Sequence, residues 1–279
     1  FQAEDGIRDC LLSRGLGDVY KRQALFQAEK TGNQIQMITL ANPDMNMDDA
    51  YRVQAALMRL HYSEGRHKIG WKIGLTSKAM QLALNINIPD SGVLLNTMAF
   101  DTSETVPKDR FIEPRIEAEI AFVMKHDLQG ANVSRADVIA ATEYITPSLE
   151  ILDTRILRLD PETGRARTVL DTISDNAANA GIVLGSERHR LDAIDPRWVG
   201  AIVAKNDAVE ETGLGAGVLN DPIESVCWLA RRMDHYGDKI SAGDIVLSGS
   251  FIRPIEAKPG SRFHADFGPF GVVEINFAE

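Results

Sequence analysis

The sequence predicts an α+β fold, with helices mainly in its first half and a β-rich body after them. Three observations support this fold class. Apolar residues recur at helical spacing between residues 46 and 65, and they alternate with a period of two in runs that start near residues 67 and 115. From Lys239 to the end, short alternating runs are separated by Gly-Pro turns, a pattern typical of antiparallel strands. The 279 residues, 44% of them hydrophobic, suffice for one large domain or two modest ones.

The first 23 residues differ in character from the rest of the chain. The segment FQAEDGIRDCLLSRGLGDVYKRQ has no sustained period of two or 3.6 and mixes its charges without a pattern. It resembles translated sequencing-adaptor sequence, so we predict that 1–23 is a non-native segment. A single domain is predicted over 24–279, opening with a short helix up to Lys30.

The first long helix is predicted between Asn46 and Gly65. Asn46 is a favourable N-cap with Asp49 three residues later, and Gly65 is a favourable stop. A strand face follows, because Ile69, Trp71, Ile73 and Leu75 alternate with the residues of the opposite face: Lys68, Gly70, Lys72 and Gly74.

Lys72 lies between two glycines on its predicted strand face. Its stem therefore has no bulky neighbours, which leaves space for a ligand beside the ammonium group. The alternative is a surface lysine whose stem lies along the strand. Further on, Asp90 stands between Pro89 and Ser91-Gly92, where it is predicted to lie in a turn and could serve only to cap it.

A second alternating run, 115–123, carries Glu117 and Glu119 on one face. Two carboxylates at this spacing are roughly 6.5–7 Å apart at Cα and repel each other. Either water screens them on an exposed face, or a cation lies between them. A hard divalent ion such as Mg²⁺ prefers oxygen ligands of this kind.

Glu150 favours the cation. A helix is predicted from Ser134 through about Glu143, and an extended stretch, SLEILD, follows Pro147. Within that stretch Glu150 has apolar neighbours, and a lone ionised carboxylate there would be costly unless protonated, paired or metal-bound. Pairing with Arg155 or another base is the alternative to a metal site.

Three features are predicted in the second half of the chain. The polar segment 160–180 is predicted to be a long functional loop or lid. A hairpin is predicted from 201–206 and 208–212. Asp221, Pro222 and Glu224 indicate a helix start, since they supply a cap, a first-turn proline and a third-position acid.

The composition argues against several classes of partner. The net charge is -10, and acidic and basic residues are spread along the whole chain, so no clustered basic face for nucleic acid is expected. No window approaches the roughly 18 uninterrupted apolar residues of a membrane span. Because no charged-then-apolar leader is found, we expect a cytoplasmic location.

Four separated motifs stand out along the chain: KIGLTSKAMQ at 72–81, PRIEAEIAFV at 114–123, PSLEILD at 147–153 and DTISDNAANAG at 171–181. Together they resemble the 2-oxo-acid hydratase and decarboxylase group of the fumarylacetoacetase-like superfamily. They occur in the family's order, and the resemblance runs from about residue 24 to the C-terminus.

The resemblance implies a mixed, rolled β-sheet core and a homo-oligomer built from dimers. By position, it assigns Mg²⁺ or Mn²⁺ to Glu117, Glu119 and Glu150, and acid-base roles to Lys72 and Asp90. Leu75, Thr76 and Ser250 are candidate substrate contacts. No membrane or nucleic-acid partner is expected.

The implied reaction is metal-dependent hydration of a seven-carbon 2-oxo-ene or 2-hydroxydiene dioate in aromatic meta-cleavage catabolism. Arg165, Arg167 and Arg253 are candidate partners for the distal carboxylate. The rival activities are hydration of a five-carbon 2-hydroxydienoate, a 4-oxalocrotonate-type decarboxylation and acylpyruvate hydrolysis. A non-catalytic structural subunit is the alternative from a different class, although a scaffold would not need uncompensated carboxylates.

Overall fold

The computed structural model describes residues 20–83 and 86–279. Its helices are α1 (20–31), α2 (Ile38–Ala41), α3 (Met47–Ser63), α4 (Lys78–Ala83), α5 (Arg135–Ala141), α6 (Val169–Ser174) and α7 (Pro222–His235). Its strands are β1 (Lys68–Gly74), β2 (Asp90–Leu95), β3 (Ala99–Phe100), β4 (Thr105–Val106), β5 (Arg115–Met124), β6 (Thr142–Leu152), β7 (Asn179–Leu184), β8 (Gly200–Lys205), β9 (Ala208–Leu214), β10 (Ile245–Leu247), β11 (Ile255–Glu256), β12 (Arg262–Asp266) and β13 (Val272–Phe277). The predicted α+β class is confirmed.

The chain divides into two compact units. Of the described residues, 20–67 and Thr154–Ala178 form the first unit, and 68–83, 86–153 and Asn179–Glu279 form the second. The prediction of a single domain over 24–279 stays a prediction. Most of the predicted non-native segment, 1–19, lies outside the described residues, while 20–23 belong to α1.

The first unit is helical in its described part. The predicted capping box at the start of α3 is confirmed, since Asn46 and Asp49 each accept a backbone N–H from the other. The α6 helix corrects the prediction of an irregular loop over 160–180. Its capping box, formed by Thr168 and Asp171, was overlooked, and Asp171 also accepts two hydrogen bonds from Thr39.

The second unit contains two sheets. The larger has the order β2-β1-β10-β5-β6-β7-β3, with β11 paired to β5, and the smaller has the order β4-β13-β12-β8-β9. The predicted hairpin is confirmed as β8 and β9, joined by Asn206 and Asp207 with positive φ. The prediction of antiparallel strands after Lys239 is wrong for two pairs, because β10 runs parallel to β1 and β13 runs parallel to β4.

The larger sheet is curled. In a flat sheet β2 and β7 would lie about 24 Å apart, since five strand spacings separate them. Instead the Asn179 Nδ2 atom of β7 donates a hydrogen bond of 3.1 Å to the Val93 carbonyl of β2. The mixed, rolled core that the resemblance implied is therefore present.

Strand β2 corrects the prediction that Asp90 lies in a turn. Asp90 is the first residue of this strand, and every residue of the strand is buried. The local Pro-Asp-Ser-Gly composition favours a turn, but pairing with β1, where Asp90 faces Gly74, outweighs that preference. A smaller correction concerns α5, which ends at Ala141 rather than near Glu143, because β6 begins immediately after it.

The core of the larger sheet is aliphatic. On β5 the predicted apolar face is confirmed, with all four residues fully buried: Ile116, Ala118, Ile120 and Phe122. None of the helices in the described ranges combines the length and apolar character needed to cross a membrane.

The buried core of β6 can be tested with two isoleucines. Replacing the fully buried Ile145 by alanine should lower the free energy of unfolding by about 2–5 kcal/mol, because the cavity adds to the lost burial. The control Ile202→Ala, on the half-exposed surface of β8, should change it by less than about 0.5 kcal/mol. Urea denaturation midpoints measure both changes, and equal shifts would contradict the assigned burial.

Candidate metal centre

Two paired strands bring three carboxylates together. On β5, Glu117 and Glu119 are two residues apart and share a face. On β6, Glu150 lies directly opposite Glu117 in the antiparallel register, so it projects from that same face. One carboxylate oxygen from each glutamate lies within 4.8 Å of the other two. These three residues are called the carboxylate trio.

The trio is a poor candidate for a hydrated strand face. Glu119 and Glu150 are buried, with 1% and 0% of their surface exposed, and Glu117 is partly exposed. Among the described residues, neither Glu119 Oε1 nor either carboxylate oxygen of Glu150 has a hydrogen-bond partner. Buried oxygens of this kind fit a hard divalent cation, which would satisfy them and offset their mutual repulsion.

The second oxygen of Glu119 is held by the backbone. The Gly249 N–H donates to Glu119 Oε2 at 2.8 Å. Gly249 adopts a φ of +114°, and a Cβ there would lie 2.3 Å from Thr76 Oγ1, so only glycine allows this approach. The predicted substrate contact Thr76 thus lies against the segment that orients Glu119.

Lys72 is a buried cation beside the trio. Its Nζ lies 3.4 Å from Glu150 Oε1, and only 4% of its side chain is exposed. The alternative of a surface lysine is therefore wrong. The predicted alternative, pairing of Glu150 with a base, is thus present with Lys72 as that base, while the Arg155 guanidinium binds Asp175 at 2.6 Å.

Asp90 and Lys72 converge over Gly74. A Cβ on Gly74 would lie 2.2 Å from Asp90 Oδ1 and 3.0 Å from Lys72 Nζ. The absent side chain leaves room that these two groups occupy, so the space for a ligand predicted from the glycines around Lys72 stays a prediction. Asp90 itself is buried, with 2% of its surface exposed.

The charges of this cluster shift one another's pKa values. Burial and the charge of Glu150 raise the pKa of Glu117 to about 8. Burial, followed by the charges of Glu150 and Glu117, holds the pKa of Glu119 well above its usual value. Burial raises the pKa of Glu150 more than the Lys72 ammonium lowers it. The metal-free site therefore favours bound protons.

Lys72 responds in the opposite way to the same surroundings. Burial alone would lower the pKa of Lys72, but the negative charges of Glu150 and Asp90 outweigh it and raise that pKa above its usual value. The Lys72 side chain is therefore a charged ammonium in the metal-free protein.

The remaining predicted contacts lie at turns beside the strands. Leu75 follows the last residue of β1 with a φ of +55°, so it does not lie on the strand face as predicted, and its carbonyl accepts a 2.8 Å hydrogen bond from Gln81 Nε2. The Ser250 hydroxyl is engaged within its own turn, donating to the Ile252 carbonyl at 3.0 Å. Among the predicted arginines, Arg253 is exposed and paired with Glu211. Their roles as substrate contacts stay predictions.

Asp153 supports the site, although the sequence analysis gave it no role. Its buried carboxylate accepts the N–H groups of Ile112 at 3.0 Å and Glu113 at 2.7 Å. These residues directly precede β5, so Asp153, three residues after Glu150, ties the entry of β5 to the end of β6. Its position in the motif PSLEILD was the available signal.

Known proteins resemble the chain along most of its length. It is 49% identical to 2-oxo-hept-4-ene-1,7-dioate hydratase of Escherichia coli over 255 residues, which are 91% of this chain and 96% of that protein. It is 35% identical to 2-hydroxyhexa-2,4-dienoate hydratase of Comamonas testosteroni over 259 residues, 92% and 96% of the two chains. No protein-family model matches the chain.

A solved structure resembles the fold described above. The 4-oxalocrotonate decarboxylase of Pseudomonas putida G7, complexed with magnesium and adipate, superposes with a TM-score of 0.87 at 30% identity. The match covers 93% of this chain and 97% of that one.

Removal of metal should make stability depend on pH. Folded Glu117 has a pKa of about 8 against 4.5 as its ordinary value, so the folded state holds the extra proton. Its contribution to stability is complete below the ordinary pKa and is lost as the pH rises through about 8. With EDTA, the melting temperature should therefore fall between about pH 5 and pH 9.

The control for this pH dependence is the Glu117→Gln variant. Its side-chain amide does not titrate, so its melting temperature should fall less steeply with pH. Saturating Mg²⁺ should also flatten the wild-type profile, because the ion takes the place of the protons. A melting temperature that rises with pH in EDTA would contradict the assigned burial of the trio.

Proposed function

This chain belongs to the 2-oxo-acid hydratase and decarboxylase group of the fumarylacetoacetase-like superfamily and is a hydro-lyase, and on that premise we propose that it hydrates 2-oxohept-4-ene-1,7-dioate. The product would be 4-hydroxy-2-oxoheptane-1,7-dioate, formed during meta-cleavage catabolism of homoprotocatechuate. The observation that carries the proposal is the convergence of Lys72 and Asp90 beside the buried carboxylate trio. The identity to the E. coli hydratase supports the seven-carbon substrate.

Glu117, Glu119 and Glu150 would hold Mg²⁺ or Mn²⁺. Three carboxylates suit either ion, and the oxygens of Glu119 and Glu150 that accept no hydrogen bond leave capacity for one. A bound ion would supply a Lewis acid for the negative charge that develops on the 2-oxo oxygen. We also propose that the chain forms a homo-oligomer built from dimers, as its family resemblance implies.

The reaction requires two proton transfers and one addition of water. The substrate reacts as its dienol tautomer, 2-hydroxyhepta-2,4-diene-1,7-dioate. This dienol first gains a proton at C5 while its 2-hydroxyl loses one, so that the remaining double bond, between C3 and C4, is conjugated with the C2 ketone. Water then bonds to C4 and a proton is delivered to C3. The balance is one water added, with no oxidation or reduction.

Lys72 and Asp90 would carry out these proton transfers. Lys72 and Asp90 share the two transfers, with either as donor or acceptor, and a bound dication would lower the raised pKa of Lys72 and so help it to exchange a proton. Both lie over Gly74, whose missing side chain lets the carboxylate and the ammonium group approach each other there. Leu75, Thr76 and Ser250 are the proposed substrate contacts around them.

Decarboxylation of a 4-oxalocrotonate-type substrate is the second candidate. The observation that favours it is the likeness to the decarboxylase from P. putida G7. Both reactions would use the same ion to stabilise a similar enolate, so the fold does not separate them. The presence or absence of carbon dioxide does.

The reaction type can be decided with the seven-carbon dienedioate. We expect loss of its ultraviolet absorbance with Mg²⁺, formation of the 4-hydroxy acid and no release of carbon dioxide. EDTA should abolish turnover, and Glu150→Gln should abolish both turnover and Mg²⁺ binding in calorimetry, because a ligand charge is lost. The exposed Glu143→Gln is the control. Carbon dioxide release would establish the decarboxylase instead, and undiminished turnover by Glu150→Gln would refute the metal site.

The proton-transfer roles predict a different pattern from the metal ligands. Lys72→Met and Asp90→Asn should each lower kcat by about 10²–10⁴-fold. Neither substitution should weaken Mg²⁺ binding, since neither removes an oxygen ligand of the carboxylate trio. Lys205→Met, in the smaller sheet, is the control for Lys72. A variant that lost Mg²⁺ affinity in proportion to kcat would place its residue among the metal ligands.

A further inference from the structure

A side-chain hydrogen bond near the site joins β7 to β2, an edge strand of the curled sheet. Asn179 is the first residue of β7 and is fully buried. Its Nδ2 atom donates to the Val93 carbonyl of β2 at 3.1 Å. Because β2 pairs only with β1 in the sheet order, this amide occupies the edge of β2 where a further strand would otherwise bond.

Val93 lies on the strand that carries Asp90. In the register of β2 with β1, Val93 faces Trp71, Gly92 faces Lys72 and Asp90 faces Gly74. A displacement of β2 would therefore move the Asp90 carboxylate relative to the Lys72 ammonium. The hydrogen bonds to β1 hold one edge of β2, and Asn179 holds the other.

The backbone before Asn179 has an unusual conformation. Asn176, Ala177 and Ala178 have φ angles of 52°, 53° and 57°, so three successive residues with side chains adopt the left-handed region. That region is unfavourable for such residues and persists only where neighbouring contacts enforce it, often next to functional sites. Asp175 directly precedes these residues. The Arg155 guanidinium donates hydrogen bonds to the carboxylate and to the backbone carbonyl of Asp175. The chain thus enters β7 from a strained but firmly held turn.

We infer that Asn179 is a positioning residue, which holds β2, and with it the Asp90 carboxylate, against Gly74 and Lys72. This inference rests on the proposed function in one respect: displacement of Asp90 lowers kcat only if Asp90 takes part in proton transfer. The metal ligands lie on β5 and β6 and need no contact with β2. Loss of the Asn179 amide should therefore slow catalysis without weakening metal binding.

Two substitutions test this role. Asn179→Leu keeps the branching of the side chain but removes the donor, and Asn179→Ala removes the side chain. We expect kcat to fall by about tenfold to a hundredfold in both, since small displacements of a reacting group have effects of this size. KM and the Mg²⁺ dissociation constant should stay within about threefold of the wild-type values. This separation would not follow from a general loss of structure.

The matched control is Asn276→Ala. Asn276 in β13 also donates its side-chain amide to a backbone carbonyl, that of Ser103 at 3.0 Å, but in the smaller sheet. It should leave kcat unchanged. If both Asn179 variants fold and keep full kcat, the inference is overturned. It is equally overturned if both fail to fold, or if Mg²⁺ affinity falls in step with kcat.

Crystal structures of the wild-type protein and Asn179→Leu provide a readout that needs no substrate. In the variant, Asp90 Oδ1 should move away from Gly74 while the carboxylate trio keeps its arrangement. Wild-type protein that does not hydrate the dienedioate would refute the proposed function alone, because this displacement can still be measured. An unmoved Asp90 would refute the positioning role alone.

Discussion

The convergence of three like-charged carboxylates, two of them buried, on one face of two paired strands is the constraint on which the site depends. Repulsion and desolvation oppose this arrangement, so it needs compensating positive charge. Lys72 provides one charge at 3.4 Å from Glu150, and a divalent cation would provide the rest. In the absence of that ion, the raised pKa values of Glu117 and Glu119 favour protonation, which removes part of the repulsion.

The second requirement of the site is space, which glycines provide. Gly74 lets the Asp90 carboxylate and the Lys72 ammonium approach the backbone of β1, and Gly249 lets its N–H reach Glu119 beside Thr76. Curling of the sheet then brings β2 back to β7. Charge repulsion, close backbone approach and sheet curvature thus meet in one region, formed by β1, β2, β5, β6 and β7.

Several parts of this arrangement were predictable from local sequence. Alternation over 115–123 placed Glu117 and Glu119 on one face, and the apolar neighbours of Glu150 indicated its burial. Asp90 was predicted to lie in a turn because Pro, Ser and Gly surround it, although strand pairing overrides that composition. The α6 helix within 160–180 was not predicted, because it is too short to show a helical period. Its capping residue Asp171 is also stabilised by Thr39, which is distant in the sequence.

The sequence by itself determined the secondary structure of the long periodic segments, the residue types of the site and, through resemblance, the family. Only the tertiary structure decided that Glu150 lies opposite Glu117, that Asp90 shares the space over Gly74 with Lys72, and that Asn179 joins β7 to β2. Periodicity reports which face of a strand a side chain occupies, because that is a local property of the backbone. Register and sheet curvature depend on partners far apart in the chain, so no local pattern contains them.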